Sequence, residues 1–310
     1  MLLGDYLRLI RLPNIFTVPS NILSGYFALV AVAHTDVLQL VLLSTSSMLL
    51  YTSGLVFNDY FDIETDLKER PYRPLPSGRI SKRIGLTMAV SSIISANLVA
   101  YFAAGLNGFA VSTFISGIVI LYDYKLKKTK CGPIAMGLAR SLNVTLGASP
   151  ALYLILHNNN LFIRIGFICL FTFVYIFSIS LVSRKEIQSD EDQKDSQKAI
   201  RNVRITVIVC FSIIFCIIAS LIFLVLLGVF RADLFVNLAL FSAIILTILF
   251  RQAKFRYSSL SLQNTIKNMV TAIIVFDSIF VSGVVGIYYG LPILILVIPA
   301  IILSRRLYMT

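Results

Sequence analysis

Histidine is nearly missing from this chain: His34 and His157 are the only two in 310 residues, and both fall in short connections between hydrophobic runs. Imidazole general-base chemistry therefore has little to draw on. Cysteine is also sparse. Cys131, Cys169, Cys210 and Cys216 lie in or beside apolar segments with no paired spacing, which argues against a disulfide framework or a zinc site. Charge is the third scarcity, at 14% of residues, where a soluble domain carries about 25%. In its place stand 57% hydrophobic residues and a mean hydropathy of +0.86. The net charge of +12 does not point to nucleic acid, because the Lys and Arg residues sit in short patches between apolar runs. The amino terminus, MLLGDYLRLIRLPNIF, carries an acid at Asp5 and no small-residue cleavage site, so it reads as the start of the mature chain.

Runs long enough to cross a bilayer predict helices at about 15–33, 38–57, 84–104, 107–122, 132–156, 161–182, 205–228, 234–250 and 267–287. A shorter run, 292–303, holds Pro292 and Pro299 and reads as a tenth crossing or half of a broken one. Placing the amino terminus inside puts 24 of the 27 basic residues in inside segments. Only Arg164 and Arg231 fall outside, and Arg140 lies within a span. This asymmetry orients the chain with its amino terminus in the cytoplasm, or the stroma of a plastid. The expected architecture is one all-α polytopic bundle of about nine transmembrane helices over 1–310, embedded in membrane lipid.

Ten of the fifteen acids occupy two inside loops. The first follows the second span and reads FNDYFDIETDLKERPYRPLPSGR. On a continuing helix, Asn58, Asp59, Asp62 and Asp66 share an arc of about 100°. Like charges this close repel unless a cation lies between them, and hard oxygen donors suit Mg²⁺, which completes its shell with water and phosphate. Lys68, Arg70, Arg73 and Arg79 follow and can hold further phosphate charge, while Pro71, Pro74 and Pro76 stop the helix.

This string resembles the UbiA superfamily of intramembrane prenyltransferases. Asn58, Asp59, Asp62 and Asp66 match its NDxxDxxxD motif, and Arg70 through Gly78 match the RPxRPLPSG run after it. Arg11 and Asn14 before the first span, and YDYKLKK (Tyr122 to Lys128), are also similar to the family, while GPIAMGLARSLNVTLG (Gly132 to Gly147) resembles its EboC-type branch. The resemblance implies a helical bundle with a central cavity that binds a polyprenyl diphosphate through Mg²⁺ and passes the prenyl group to a lipophilic or aromatic acceptor. It further implies catalytic roles for Asp59, Asp62 and Asp66, metal ligation by Asn58, Asp62 and Asp66, and diphosphate contacts from Arg11, Asn58, Arg70, Arg73, Lys125 and Arg140. Tyr51 or Tyr122 could face an allylic cation, or serve as interfacial aromatics.

The family's second acidic motif is altered here. In SLVSRKEIQSDEDQKDSQKAI, Glu186 and Asp190 share a helix face and are candidate ligands for a second metal, but Arg184 and Lys185 can also neutralise them. Arg140 and Asp277 are ionisable groups inside spans, and such groups line a cavity or pair with one another. Two functions stand: an Mg²⁺-dependent prenyltransferase, and a non-catalytic relative that binds an isoprenoid or scaffolds a partner. Metal-dependent release of diphosphate separates them.

Overall fold

The computed structural model describes residues 2–30, 34–191, 212, 215–239 and 259–307. Two short helices, α1 (Leu2–Leu9) and α2 (Leu12–Ile15), lead into α3 (Val18–Leu29). Then come α4 (Val37–Phe61), α5 (Ile63–Glu69) and α6 (Lys82–Tyr124). They are followed by α7 (Gly132–Ala148), α8 (Asn159–Glu191), α9 (Phe215–Leu226) and α10 (233–239). The last are α11 (Ser259–Val285), α12 (Ile287–Gly290) and α13 (Val297–Leu307). Among the described residues there is no strand.

Four of these helices are long and apolar enough to cross a membrane. The 43-residue α6 is really two antiparallel passes, because Ala104 (φ −143°) and Gly105 (φ +59°) leave helical geometry between them. Only glycine adopts that left-handed φ without a Cβ penalty. Spans predicted at 84–104 and 107–122 therefore meet at this hinge. The predicted span at 15–33 is interrupted instead: α2 and α3 are separate helices, and the 12 residues of α3 rise only about 18 Å. The run at 132–156 begins as α7, but Pro150 falls where α7 gives way to the 3₁₀ stretch Ser149–Leu156. After α11 the chain turns at Gly286 (φ +105°) and continues through α12, the 3₁₀ stretch Leu291–Leu296 with Pro292 in its first turn, and α13, which packs on α2. The run at 292–303 thus falls on a 3₁₀ stretch and α13 rather than on one continuous α-helix. Of the predicted spans at 205–228 and 234–250, residues 205–211, 213–214 and 240–250 lie outside the described residues, and the rest includes α9 and most of α10.

Helices in lipid gain nothing from hydrophobic exclusion against one another, so close backbone packing and internal hydrogen bonds hold them. The α3–α7 seam shows both. A Cβ on Gly25 would collide with the Val144 carbonyl, and one on Gly147 with the Ile22 carbonyl. Asn143 bonds across the seam to the Val18 carbonyl and accepts from Ser47 of α4. Elsewhere Ser46 donates to the Ala96 carbonyl at 2.8 Å, tying α4 to α6.

Candidate active site

The acid-rich segment lies where α4 ends. Asp62 leaves helical geometry (φ −93°, ψ 5°), yet its N–H still bonds the Asn58 carbonyl and its own carbonyl accepts from Asp66 N–H. The predicted continuous helix thus becomes α4, a bend at Asp62, and α5, with the oxygen donors kept together. Beneath them Leu9, Val56, Phe57, Ile63, Leu75, Ile80 and Ala89 form a small core. That core clamps the proline-rich loop 70–80 and α1 against the end of α4. Arg79 adds a 2.6 Å ion pair to Asp5.

At this mouth Asp59 and Asp66 are buried, 3% and 4% exposed. Asp59 Oδ1 accepts from Arg11 Nη2 at 3.0 Å and from Arg73 Nη1 at 3.2 Å, and Arg73 Nη1 also reaches Asp66 Oδ2 at 2.6 Å. Burial pushes the Asp66 carboxyl above its ordinary range, against the opposing pull of Arg73. Arg11 holds a left-handed backbone (φ 43°, ψ 55°), which costs a non-glycine residue about 1–2 kcal/mol. The contact of Arg11 with Asp59 gives that strain a purpose at the site.

The next helix boundary supplies the rest. Phe61 of α4 meets Tyr124 of α6 edge-on at 5.7 Å, which fixes the end of α6 beside Asp62. There Lys127 Nζ approaches Asp62 Oδ1 at 2.7 Å. The approach is close enough for an ion pair but off-angle for a hydrogen bond, and Nζ is buried with no hydrogen-bond acceptor. Arg184 of α8 donates to the Lys127 carbonyl, so the end of α8 reaches the same mouth. The backbone of Glu186 and Asp190 falls on the last turns of α8. Their side chains lie outside the described residues.

Arg70 is exposed; its N–H bonds the Asp66 carbonyl at 2.8 Å, and its side chain acts on the Asp66 carboxylate through charge. Lys125 is exposed at the end of α6, whereas Lys127 turns inward. Arg140 lies deeper. Eight residues into α7 from Gly132, it is about 12 Å along the helix. Its guanidinium donates to the Thr17 hydroxyl and Asn21 Oδ1, both at 3.1 Å, and lies 5.1 Å above the Tyr51 ring. Asn21 in turn donates to Asp277 at 2.8 Å. The expected Arg140–Asp277 pairing is therefore relayed through Asn21. Arg140 is ringed by protein, yet part of its surface stays open.

Asp123 escaped the sequence reading. It is one of only five acids outside the two acidic loops, and it stands four residues before Lys127 in YDYKLKK. That spacing was the available signal. The structure buries it to 2% exposure.

Residues 19–265 match the UbiA prenyltransferase family. This chain belongs to that family. Its relatives include the digeranylgeranylglyceryl phosphate synthase of Sulfolobus acidocaldarius, 36% identical over 129 residues, which cover 41% of this chain and 44% of that protein. The synonymous enzyme of Methanosphaera stadtmanae is 25% identical over 71% of this chain and 78% of its own length. This chain thus matches less than half of the first relative's length and about three quarters of the second's. A UbiA homologue from Archaeoglobus fulgidus, bound to GPP and Mg²⁺, shares the fold at TM-score 0.60 and 16% identity, covering 93% of this chain and 99% of that one. The UbiA fold is an all-helical, multi-pass membrane bundle, and this protein is integral to the membrane.

The residues at the mouth fit a hard divalent cation. Asn58, Asp59, Asp62 and Asp66 offer oxygen ligands, and the buried Lys127 Nζ, which lacks a hydrogen-bond acceptor, suits the phosphate that would accompany the cation. Among the described residues no three carboxylates close into a ready cage. Such a cation would take its remaining ligands from water and substrate phosphate.

Proposed function

We propose that this protein is an Mg²⁺-dependent prenyltransferase that takes a polyprenyl diphosphate as donor and a lipophilic or aromatic molecule as acceptor. The observation that supports this most is the set of four ion pairs at one mouth: Arg11–Asp59, Arg73–Asp59, Arg73–Asp66 and Lys127–Asp62. Each couples an acid of the NDxxDxxxD motif, catalytic Asp59 or candidate metal ligands Asp62 and Asp66, to a basic side chain that can take phosphate. A diphosphate carrying its cation offers exchange partners for both halves of every pair at once.

Asn58, Asp62 and Asp66 would hold Mg²⁺, with Glu186 and Asp190 as candidates for a second ion. Bound there, Mg²⁺ would neutralise the departing diphosphate. Arg11, Arg73 and Lys127, freed from their carboxylates, bind the diphosphate oxygens and orient the donor, with Arg70 and Lys125 adding charge at the rim. The isoprenoid tail stays in apolar surroundings inside the bundle. The bond between prenyl C1 and the diphosphate oxygen breaks with its electron pair going to diphosphate. The acceptor forms the new bond to C1 and releases a proton to water.

The basic-residue asymmetry supports a cytoplasmic or stromal position for the amino terminus and both acidic loops. The Ile-, Ser-, Asn- and Lys-leaning composition favours a bacterial inner membrane or a plastid membrane, whereas the relatives named above are archaeal. We read 1–310 as one UbiA-like domain. The names of those relatives make a prenylglyceryl phosphate the first acceptor to assay. The deciding experiment incubates purified protein with a panel of prenyl diphosphates, with and without Mg²⁺. Metal-dependent release of diphosphate supports the enzyme. Donor binding without release, across the panel, favours the non-catalytic isoprenoid-binding reading.

A further inference from the structure

Asp123 presents a physical anomaly. Its side chain is 2% exposed, and a carboxylate taken out of water is costly unless it is hydrogen-bonded or paired. The other buried or half-buried acids at the mouth are paired: Asp59 has Arg11 and Arg73, Asp66 has Arg73, and Asp62 has Lys127. Among the described residues Asp123 has neither a hydrogen bond nor an ion pair. Its charge neighbours are Lys127, Asp62, Arg11 and Asp59, the groups of the mouth itself. Lys127, four residues on, spends its approach on Asp62 rather than on Asp123.

Local structure explains why the acid is held there. The helix carrying Asp123 ends at Lys125 (φ −139°), and Tyr124 beside it is pinned against Phe61. Arg184 holds the following turn through the Lys127 carbonyl. Two elements thus fix Asp123 next to Asp62 without satisfying it. A carboxylate left without a hydrogen bond or ion pair at 2% exposure, beside a second carboxylate, marks a place where a cation belongs. Asp62 and Asp59 are the carboxylates among its charge neighbours, and carboxylate oxygens favour a hard divalent cation.

We infer that Asp123 is a further cation ligand of the mouth, acting with Asp62 on the side where α6 ends. This rests on the proposed Mg²⁺–diphosphate site and assigns it a carboxylate from outside both acidic loops. It also gives the mouth an additional acid whose position does not depend on the altered loop after α8.

The test uses the full-length protein in detergent and Mn²⁺ as the probe, titrated by EPR with and without inorganic diphosphate. The variants are Asp123→Asn, Asp123→Glu and, as control, Glu64→Gln, an exposed acid of α5. Asp123→Asn is expected to weaken Mn²⁺ binding about tenfold, ~1.4 kcal/mol, with Glu64→Gln unchanged and Asp123→Glu intermediate. Because the acid makes no hydrogen bond or ion pair, metal-free Asp123→Asn should melt no lower than the parent, and Mg²⁺ should raise its Tm less than it raises the parent's. Mn²⁺ affinity of Asp123→Asn equal to the parent's overturns the inference, and so does a lower metal-free Tm. If the parent binds Mn²⁺ yet never releases diphosphate from a prenyl donor, the enzyme reading falls while the Asp123 result stands.

Discussion

One nitrogen of Arg73 serves two buried carboxylates, donating to Asp66 Oδ2 at 2.6 Å and to Asp59 Oδ1 at 3.2 Å. It closes the loop 70–80 back onto the end of α4 and shares its one positive charge between the two acids, Asp59 having Arg11 as a second partner. Arg73→Gln leaves two buried carboxylates short of a cation, which costs about 3–5 kcal/mol when a buried pair is broken. The metal-free variant should therefore melt well below the parent. Added Mg²⁺ should recover more Tm in the variant than in the parent, because it supplies the missing charge. Thermal melts in detergent with and without Mg²⁺ check this.

Arg140 lies too deep to share that role. With Thr17, Asn21 and Tyr51 on its guanidinium, it joins α3, α4 and α7 below the mouth. Arg140→Gln should lower Tm, a loss of about 3 kcal/mol for a broken buried network. Donor affinity should change far less than it does in Arg73→Gln. Parallel melts and donor titrations read both, and a donor affinity lost as fully as in Arg73→Gln would place Arg140 at the diphosphate instead.

Topology offers an independent check. Tags inserted near Ser77 and Gln188 should report the same side of the membrane, and a tag near Asn158 the opposite side, as the distribution of basic residues requires. The Arg184 contact with the Lys127 carbonyl gives the same expectation from packing. Accessibility labelling of the three insertions decides it. Ser77 and Gln188 on opposite faces would end the shared mouth.

The bundle was legible because crossing length and hydrophobic content are local properties, and so was the hinge that separates 84–104 from 107–122. The carboxylate face was legible because helical spacing alone gathers Asn58, Asp59, Asp62 and Asp66. Tertiary decisions were not. Nothing near Leu29 announces that the first span is shortened by the break before Val18. Lys127 rather than Lys125 turns inward because the helix stops at Lys125, and no spacing rule fixes that stop. Asp123 drew no notice beside two loops of five acids each, since its significance is burial without a partner, which only packing reveals.

The most direct measurement is donor binding by the metal-ligand variants. Calorimetric titration of geranyl diphosphate into the parent, Asp62→Asn and Asp66→Asn, with and without Mg²⁺, separates the metal's contribution from that of the arginines. The parent should bind more tightly with Mg²⁺. Both variants should lose that gain by about tenfold or more, ~1.4 kcal/mol, while still inserting in the membrane. Mg²⁺-dependent binding in both variants as strong as in the parent would contradict the metal site at the end of α4.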